Sequence, residues 1–454
     1  MQVAIDYVEQ CPLKGLRVLV VGLGVTGLSC ARYLSLQGAE VVVADSRECP
    51  PGLEELRREL PGVELCMGGF NPAVFESAQS IVVSPGVSLD EPLLVDARRR
   101  GVEIVGDIEL FARRVQAPVF AITGSNGKST VTTLLGLMAD AAGRDVRVGG
   151  NLGTPALDLI GDHEPDLYVL ELSSFQLETV TSLRCQAAVV LNISADHLDR
   201  YDSLQAYVRA KQRIYAGAAV QVVNLDDMVA AGLATGSGQR VGFSLGLPVG
   251  NGFGIRESAQ TAWIARGQDC WLPVGDVRMA GRHNLANALA ALALGDVSGL
   301  SRDAMVQVLR EFRGLPHRTE WVAEKRELRW FNDSKATNVG AALAAIQGFD
   351  VPLVVIAGGQ GKGADFTELA AGLGPRVRGM VLLGEAAGEI EQAVQDLVSV
   401  EHARDMKDAV HRAAAMAETG DVVLLSPACA SFDMFSGYAA RGEAFRQAVM
   451  ELDG

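Results

Sequence analysis

Residues 118–143 read PVFAITGSNGKSTVTTLLGLMADAAG, and this stretch decides the fold. The apolar run from Val119 to Thr123 predicts a buried strand; it breaks into a Gly-rich turn, and an apolar-faced helix starts at Lys128. Strand, turn and helix in that order make a phosphate cradle. Backbone N–H groups and the helix N-terminus stabilise anionic oxygens, Lys128 reaches the terminal phosphates, and a hydroxyl at Ser129 or Thr130 can ligate Mg²⁺. The strict GxxxxGK[ST] pattern fails, because Ile122 stands at its first glycine and only Gly124 and Gly127 remain. The plain alternative is a surface turn that happens to hold Gly-Lys; the flanking strand and helix weigh against it.

The same strand-to-glycine beginning recurs at residues 16–24, LRVLVVGLG, and at residues 352–363, PLVVIAGGQGKG. Three such beginnings in 454 residues, at roughly 150 residues per domain, predict three α/β domains. Their boundaries are expected near Gly106 and Gly314, giving 1–106, 107–314 and 315–454. Between these points Val- and Ile-rich runs (VVVAD, SIVVS, VEIVG, LYVLEL, AAVVLN, VQVVN, GMVLLGE, DVVLLS) alternate with helix-length segments, the rhythm of parallel sheets covered by helices. From Gly232 to Trp271 short alternating runs predict a small mixed-sheet excursion of the central domain.

The 55 acidic residues against 40 Lys and Arg leave a net charge of −15, which excludes a broad electrostatic grip on nucleic acid or an anionic membrane. An anionic ligand must then be held by local clusters. Seven scattered cysteines without a CxxC pair predict free thiols in a reducing compartment and no zinc site. The opening MQVAIDYVEQ is acidic where a signal peptide would be basic, and no uncharged run reaches the roughly 18 residues of a spanning helix. A cytoplasmic protein is expected.

Further motifs carry chemistry. In GLGVTG, Gly22, Gly24 and Gly27 follow a strand, and Asp45 ends the next where a ribose-binding acid would stand. Three readings stay open there: a dinucleotide fold, close helix packing without a ligand, or a site for another nucleotide diphosphate. Glu171 closes the strand of YVLELSSFQLE and is placed to ligate Mg²⁺. VVLNISADHLDRY brings Asp196, His197 and Asp199 after Asn192. Asn284 and Asn287 stand at i and i+3 at the start of an expected amphipathic helix, able to read a nucleobase edge, although capping would also explain Asn284. Arg318, Asp333 and Lys335 would bring charge to the γ-phosphate or a ribose from another domain. Ser431, Phe432 and Tyr438, in and just after SPACASFDMF, would form a specificity pocket or a packed corner.

The order of these motifs, from GLGVTGLS through VGDIELF, TGSNGKST, GGN, LELSSFQLE, DHLDRY, GLPHR and NDSKATN to SPACASFDMF, resembles the cytoplasmic Mur ligases of bacterial peptidoglycan synthesis, nearest to their D-glutamate-adding members. The likeness spans nearly the whole chain and is weakest from Leu225 to Asp276. It implies an α/β, three-domain Mur ligase architecture, with a Rossmann-like N-terminal domain, a P-loop-type central ATPase domain and a Rossmann-like C-terminal domain. It implies an ATP-dependent amide ligase acting on UDP-N-acetylmuramoyl-L-alanine and D-glutamate; a monomer is expected because nothing in the sequence reads as a coiled coil or an exposed interface. By the same resemblance Gly24, Val25, Thr26, Asp45, Ser46, Arg47 and Gly86, with Asn151, hold the UDP substrate. Gly124, Ser125, Asn126, Gly127, Lys128, Ser129, Thr130, Asn284, Asn287, Arg318 and Asp333 hold ATP. Ser129, Glu171, His197 and Lys211, the last as a carbamate, hold two Mg²⁺ ions. Thr337, Lys362, Ser431, Phe432 and Tyr438 hold D-glutamate, and Lys128, His197, Lys211, Arg318 and Lys335 serve catalysis. Gln360 and Tyr438 depart from the family pattern, which expects Asp and Phe. A nicotinamide dehydrogenase would leave GSNGKST without a purpose, a nucleotide-gated scaffold would need no third-domain pocket, and a sister ligase for another amino acid is the nearest competitor.

Overall fold

A computed structural model describes residues 13–196, 200–236, 238–258, 260–279 and 281–453. Its first sheet holds β1 (Arg17–Val21), β2 (Glu40–Asp45), β3 (Glu64–Met67), β4 (Ser80–Val83) and β5 (Glu103–Val105), all parallel in the order β3-β2-β1-β4-β5. Side chains alternate between its faces: Val18 and Val20 enter one apolar cluster, Leu19 and Val21 another. Burial on both faces is why the central strands read as unbroken Val and Ile runs.

The second sheet holds nine strands: β6 (Val119–Thr123), β7 (Val146–Gly150), β8 (Leu167–Glu171), β9 (Ala187–Val190), β10 (Val220–Asn224), β11 (Gln239–Phe243), β12 (Phe253–Ser258), β13 (Thr261–Arg266) and β14 (Asp269–Pro273). Their order is β14-β13-β12-β11-β10-β9-β6-β8-β7, parallel from β7 to β11 and antiparallel from β12 to β14. The segment Gly232–Trp271 is mixed as expected, parallel at β11 and β12 and antiparallel beyond, but it is not a separate excursion. β11 pairs with β10 along its whole length, and the segment continues the main sheet to its edge. The third sheet holds β15 (Glu320–Lys325), β16 (Leu328–Asn332), β17 (Leu353–Gly358), β18 (Val377–Leu383), β19 (Ser399–His402) and β20 (Val422–Leu425), in the order β15-β16-β20-β17-β18-β19. The antiparallel β15–β16 hairpin opens it.

Among the strands that hydrophobic patterning misses are three edge strands. β3 (ELCM), β7 (VRVGG) and β19 (SVEH) each end a sheet. With one neighbour and partial exposure they have no reason to be uniformly apolar. The helix Arg282–Val297 is the opposite case: every residue from Asn287 to Gly295 is buried, so the amphipathic helix expected there is apolar all round. The six described cysteines are free, and among the described residues no helix is long and apolar enough to cross a membrane.

Candidate active site

The chain leaves β6 toward β7 on one side, while β9 lies on the other, so a crevice opens at the carboxyl ends of these strands. The loop Gly124–Gly127 fills it. Its shape is fixed by Asn192 at the end of β9: the Asn126 amide donates to Asn192 Oδ1 (2.8 Å), Asn192 Nδ2 donates to the Asn126 carbonyl (3.0 Å), and the Ser125 amide donates to the Asn192 carbonyl (3.0 Å). Gly127 has φ +82°, and a Cβ there would stand 2.3 Å from Asn287 Oδ1. Only glycine satisfies both constraints. The helix Lys128–Ala141 starts from Gly127 with no side-chain cap, leaving its first amides for a ligand. The Lys128 ammonium donates to the Gly124 and Ser125 carbonyls at 2.8 and 2.9 Å.

Glu171, at the tip of β8, is the acid of this crevice. Its Oε1 accepts from Asn151 Nδ2 (2.7 Å), whereas its Oε2 is buried without a hydrogen-bond partner. Four cations feel its charge: Lys128, Lys211, Arg318 and Lys335. Burial pushes Lys128 and Arg318 down, and burial followed by repulsion from Lys128 holds Lys211 well below the usual ammonium range. Burial, then Arg318, brings Lys335 down to about 8. Burial lifts the Asp333 carboxyl to about 7, despite donation from the Thr319 amide (3.0 Å) and the Ser426 hydroxyl (3.1 Å). So many desolvated cations around so few acids suit a polyanion. Arg318 crosses from the third-sheet region to donate to Ser129 Oγ (2.7 Å), closing that part of the chain over the cradle.

Beside the cradle lies a cavity of about 260 Å³ lined by Asn126, Gly127, Thr130, Asn284, Asn287, Arg318, Asp333 and Lys335 among others. Asn287 Nδ2 donates to Asn284 Oδ1 (3.3 Å), so the two amides share a face; the helix N-cap is Gly281, three residues before Asn284. His283 also lines this cavity. Its Nδ1 faces the Ala344 carbonyl and its Nε2 the Thr319 hydroxyl, both at 3.1 Å, which assigns the proton to Nδ1. Burial lowers this imidazole to about 4.

A second cavity, of about 560 Å³, lies between the first and second sheets. Gly24, Val25, Thr26, Asp45, Ser46, Arg47, Gly86 and Asn151 all line it. The Asp45 carboxylate is fully engaged by the Leu23 amide (2.7 Å), the Arg47 amide (2.9 Å) and two guanidinium N–H groups of Arg47 (2.9 and 2.7 Å). Burial raises Asp45, but the bonds from Arg47 and Leu23 outweigh it and hold the carboxyl down to about 2. The Asp45 carboxylate thus holds Arg47, and both line the cavity. Asn151 lines this cavity while bonding Glu171, so one side chain joins it to the phosphate cradle.

Residues 16–106 match the family described as Mur ligase MurD-like, N-terminal domain; residues 122–295 match the Mur ligase middle domain, and residues 317–429 the Mur ligase glutamate ligase domain. The UDP-N-acetylmuramoylalanine–D-glutamate ligase of Nitrosococcus oceani is 53% identical over 436 residues, covering 96% of each chain. The chain belongs to the Mur ligase family. The ligase of the same name from Pseudomonas aeruginosa is 50% identical over 438 residues, 96% of this Mur ligase and 98% of that one. Among solved structures, the MurF ligase from Thermotoga maritima in complex with ADP superposes with TM-score 0.61 at 16% identity, covering 97% of this chain and 96% of that one. UDP-N-acetylmuramate-alanine ligase MurC from the same organism gives 0.59 at 20% identity, covering 96% and 99%. The Mur ligase family is ATP-dependent, and the three sheets of this member have the family's three-domain α/β architecture.

In this Mur ligase Thr337, Lys362, Ser431, Phe432 and Tyr438 line neither cavity. Ser431 is buried and the other four are exposed, with Lys362 Nζ 5.5 Å from the centre of the Phe432 ring. Lys335 links this group to the cradle by stacking its ammonium 3.7 Å over Tyr438. Lys362 and Ala428 hold φ of +50° and +58°, strained values for residues with a Cβ. His197 lies outside the described residues. Sequence reading did not single out Asn192 or His283 as site groups, nor Arg441, a buried guanidinium beneath Ser431 that bonds Ser334, Gly358, Cys429 and Ala430. Arg441 sits in a helix whose sequence, YAARGEAF, reads as a solvated face and gives no such signal.

Proposed function

We propose that this Mur ligase joins the amine of D-glutamate to the carboxylate of UDP-N-acetylmuramoyl-L-alanine at the expense of ATP. The observation that carries the reading is the Asn151–Glu171 bond, by which the cavity suited to a nucleotide-linked substrate meets the cation cluster suited to triphosphate.

A carboxylate is a poor electrophile. Its oxygen attacks the γ-phosphorus, the bond to the ADP oxygen breaks, and an acyl phosphate forms. Lys128 leaves the Gly124 and Ser125 carbonyls and Arg318 leaves the Ser129 hydroxyl for the phosphates, where both neutralise charge in flight. The D-glutamate amine then attacks the acyl carbon, loses a proton, and phosphate departs from the tetrahedral intermediate. Asn284 and Asn287 read the base. Thr337, Lys362, Ser431, Phe432 and Tyr438 receive D-glutamate, whose carboxylates take Lys362 and the hydroxyls.

The orphaned Glu171 Oε2 and the hydroxyl of Ser129 are hard oxygen donors that fit Mg²⁺, and His197 and a carbamylated Lys211 would complete two such sites. A carbamate at Lys211 also replaces a buried positive charge beside Lys128 by a negative one. When bound, Mg²⁺ neutralises the β- and γ-phosphate oxygens.

Phosphate release with Mg-ATP is to be compared for D-glutamate, L-glutamate, L-alanine and a diamino acid, each with and without UDP-N-acetylmuramoyl-L-alanine. Release that needs both the UDP substrate and D-glutamate is expected. Release with another amino acid would make the protein a sister ligase, and release indifferent to every addition would overturn the reading.

A further inference from the structure

Gln176 is buried on the central-sheet side of the cavity that holds Asn151 and Arg47. Its carboxamide orientation is set from two directions. The Ser173 amide and hydroxyl donate to Oε1 at 3.1 and 3.3 Å, and Nε2 donates to Asp107 Oδ2 at 2.9 Å. An amide nitrogen carries two hydrogens, so one remains after the bond to Asp107.

Asp107 is an unusual partner. It is 1% exposed, and its second oxygen, Oδ1, is buried without a hydrogen-bond partner. A void of about 10 Å³ lined by both Asp107 and Gln176 leaves room for a single water at most. Asp107 opens the helix Asp107–Arg114, where an acid favours the helix dipole, but an acid does that from the surface without the cost of burial. Nor is it the cap: the N-cap is Gly106, with no side-chain bond. Besides facing the backbone N–H groups of Asp107 and Ile108, the buried carboxylate accepts from Gln176, its one side-chain partner among the described residues.

We propose that Asp107 is a positioning residue for the UDP-linked substrate, holding the Gln176 carboxamide so that its second N–H faces the cavity. The inference rests on the assignment of that cavity to UDP-N-acetylmuramoyl-L-alanine. Without Asp107 the amide can rotate or turn its oxygen inward, and a donor to the substrate becomes a repelling acceptor.

Calorimetric titration of UDP-N-acetylmuramoyl-L-alanine and of Mg-ATP into wild type, Asp107→Ala, Asp107→Asn, Gln176→Ala and the Asp107→Ala/Gln176→Ala double variant tests this, with melting curves alongside. Asp107→Ala should weaken the UDP ligand about five- to tenfold, the worth of one oriented hydrogen bond, and leave Mg-ATP within about twofold. Asp107→Asn keeps an acceptor toward Gln176 and should bind as wild type, and the double variant should be no weaker than Gln176→Ala. A lowered melting point with an unchanged UDP affinity in Asp107→Ala, or additive losses in the double variant, would overturn the proposal. Failure of the wild type itself to bind the UDP ligand would sink the cavity assignment, and this inference with it.

Discussion

Replacing Arg441 by Met should damage D-glutamate use far more than its distance from the phosphate cradle suggests. The guanidinium spends all five of its N–H donors on protein. Nε donates to Ser334 Oγ (3.0 Å), Nη2 to the Ser334 and Cys429 carbonyls (2.8 and 3.0 Å), and Nη1 to the Gly358 and Ala430 carbonyls (3.4 and 3.3 Å). These acceptors sit on the end of β17, on the loop after β16 that carries Lys335, and on the loop that carries Ser431. Methionine fills much of the volume but leaves the acceptors dry. The two long bonds are weak and the Ser334 hydroxyl still donates to the Tyr438 carbonyl (2.8 Å), so two orphaned carbonyls count, each at about 1–3 kcal/mol. Burial that lowers Arg441 itself to about 10 shows that the charge is costly to keep, and losing it returns part of that sum. A net destabilisation of about 3 kcal/mol follows. Because Ala428 is held at φ +58° within the same loop, the relaxation should run through Ser431. Steady-state kinetics should show the KM for D-glutamate raised about tenfold or more, with the KM for ATP nearly unchanged. Arg441→Lys, with three donors on a shorter head, should fall between. Urea midpoints give the stability order, read as an order only, since three domains need not unfold in one step. A wild-type KM for D-glutamate in Arg441→Met would refute the argument, whatever the stability.

Gly127→Ala puts a Cβ 2.3 Å from Asn287 Oδ1 at φ +82°, so Asn287 must swing from the base-reading face; calorimetry should show Mg-ATP weakened about tenfold or more and the UDP substrate unaffected. Glu171→Gln leaves Lys128, Lys211, Arg318 and Lys335 without their shared carboxylate, so kcat should fall about a hundredfold and the Mg²⁺ concentration for half-maximal turnover should rise; an unchanged Mg²⁺ requirement would remove Glu171 as a ligand. His283 is held neutral down to about pH 4 in the folded protein, by burial, while the unfolded chain takes up the proton near 6.5. Between those values the unfolded state binds more protons, so this group's contribution is intact above pH 6.5 and falls as the pH drops to 4. The stability difference between wild type and His283→Asn should therefore shrink across that window, by an amount on the order of 3 kcal/mol; urea midpoints at several pH values measure it, and a pH-independent difference would contradict the buried neutral imidazole.

How much of this was legible in the sequence depends on what each signal encodes. Strands buried on both faces announce themselves as apolar runs, and β1, β6 and β17 each run into a glycine turn, with a cavity beside the first two. The edge strands β3, β7 and β19 carry no such signature, because nothing covers them on one side. In the site, Lys128 and Glu171 could be placed because each ends or follows a strand, where chain direction alone carries a side chain to the crevice. Asp45 shows the limit of spacing arguments. It lies where expected at the end of β2, beside the Arg47 that the resemblance also placed there, but spacing does not say that its oxygens accept from Arg47 and from the Leu23 amide.

Arg441 and Asp107 show a deeper limit. Each looks like an ordinary helix-surface charge, because neighbours in sequence cannot say which loops return to cover them. A buried ion is recognised by its partners, and the farthest of these lie 107 residues away for Arg441 (Ser334) and 69 for Asp107 (Gln176). Such non-local bonds hold Gln176 beside one cavity and tie the loop of Ser431 to its neighbours, so the residues proposed to touch ligands are the ones local patterns expose, and the residues that hold them in place are the ones they hide. Variants of the hidden set should therefore alter one substrate's affinity at a time: Asp107 that of the UDP substrate, Arg441 that of D-glutamate. Variants of Glu171, where Asn151 and four cations meet, should alter turnover with all three substrates bound.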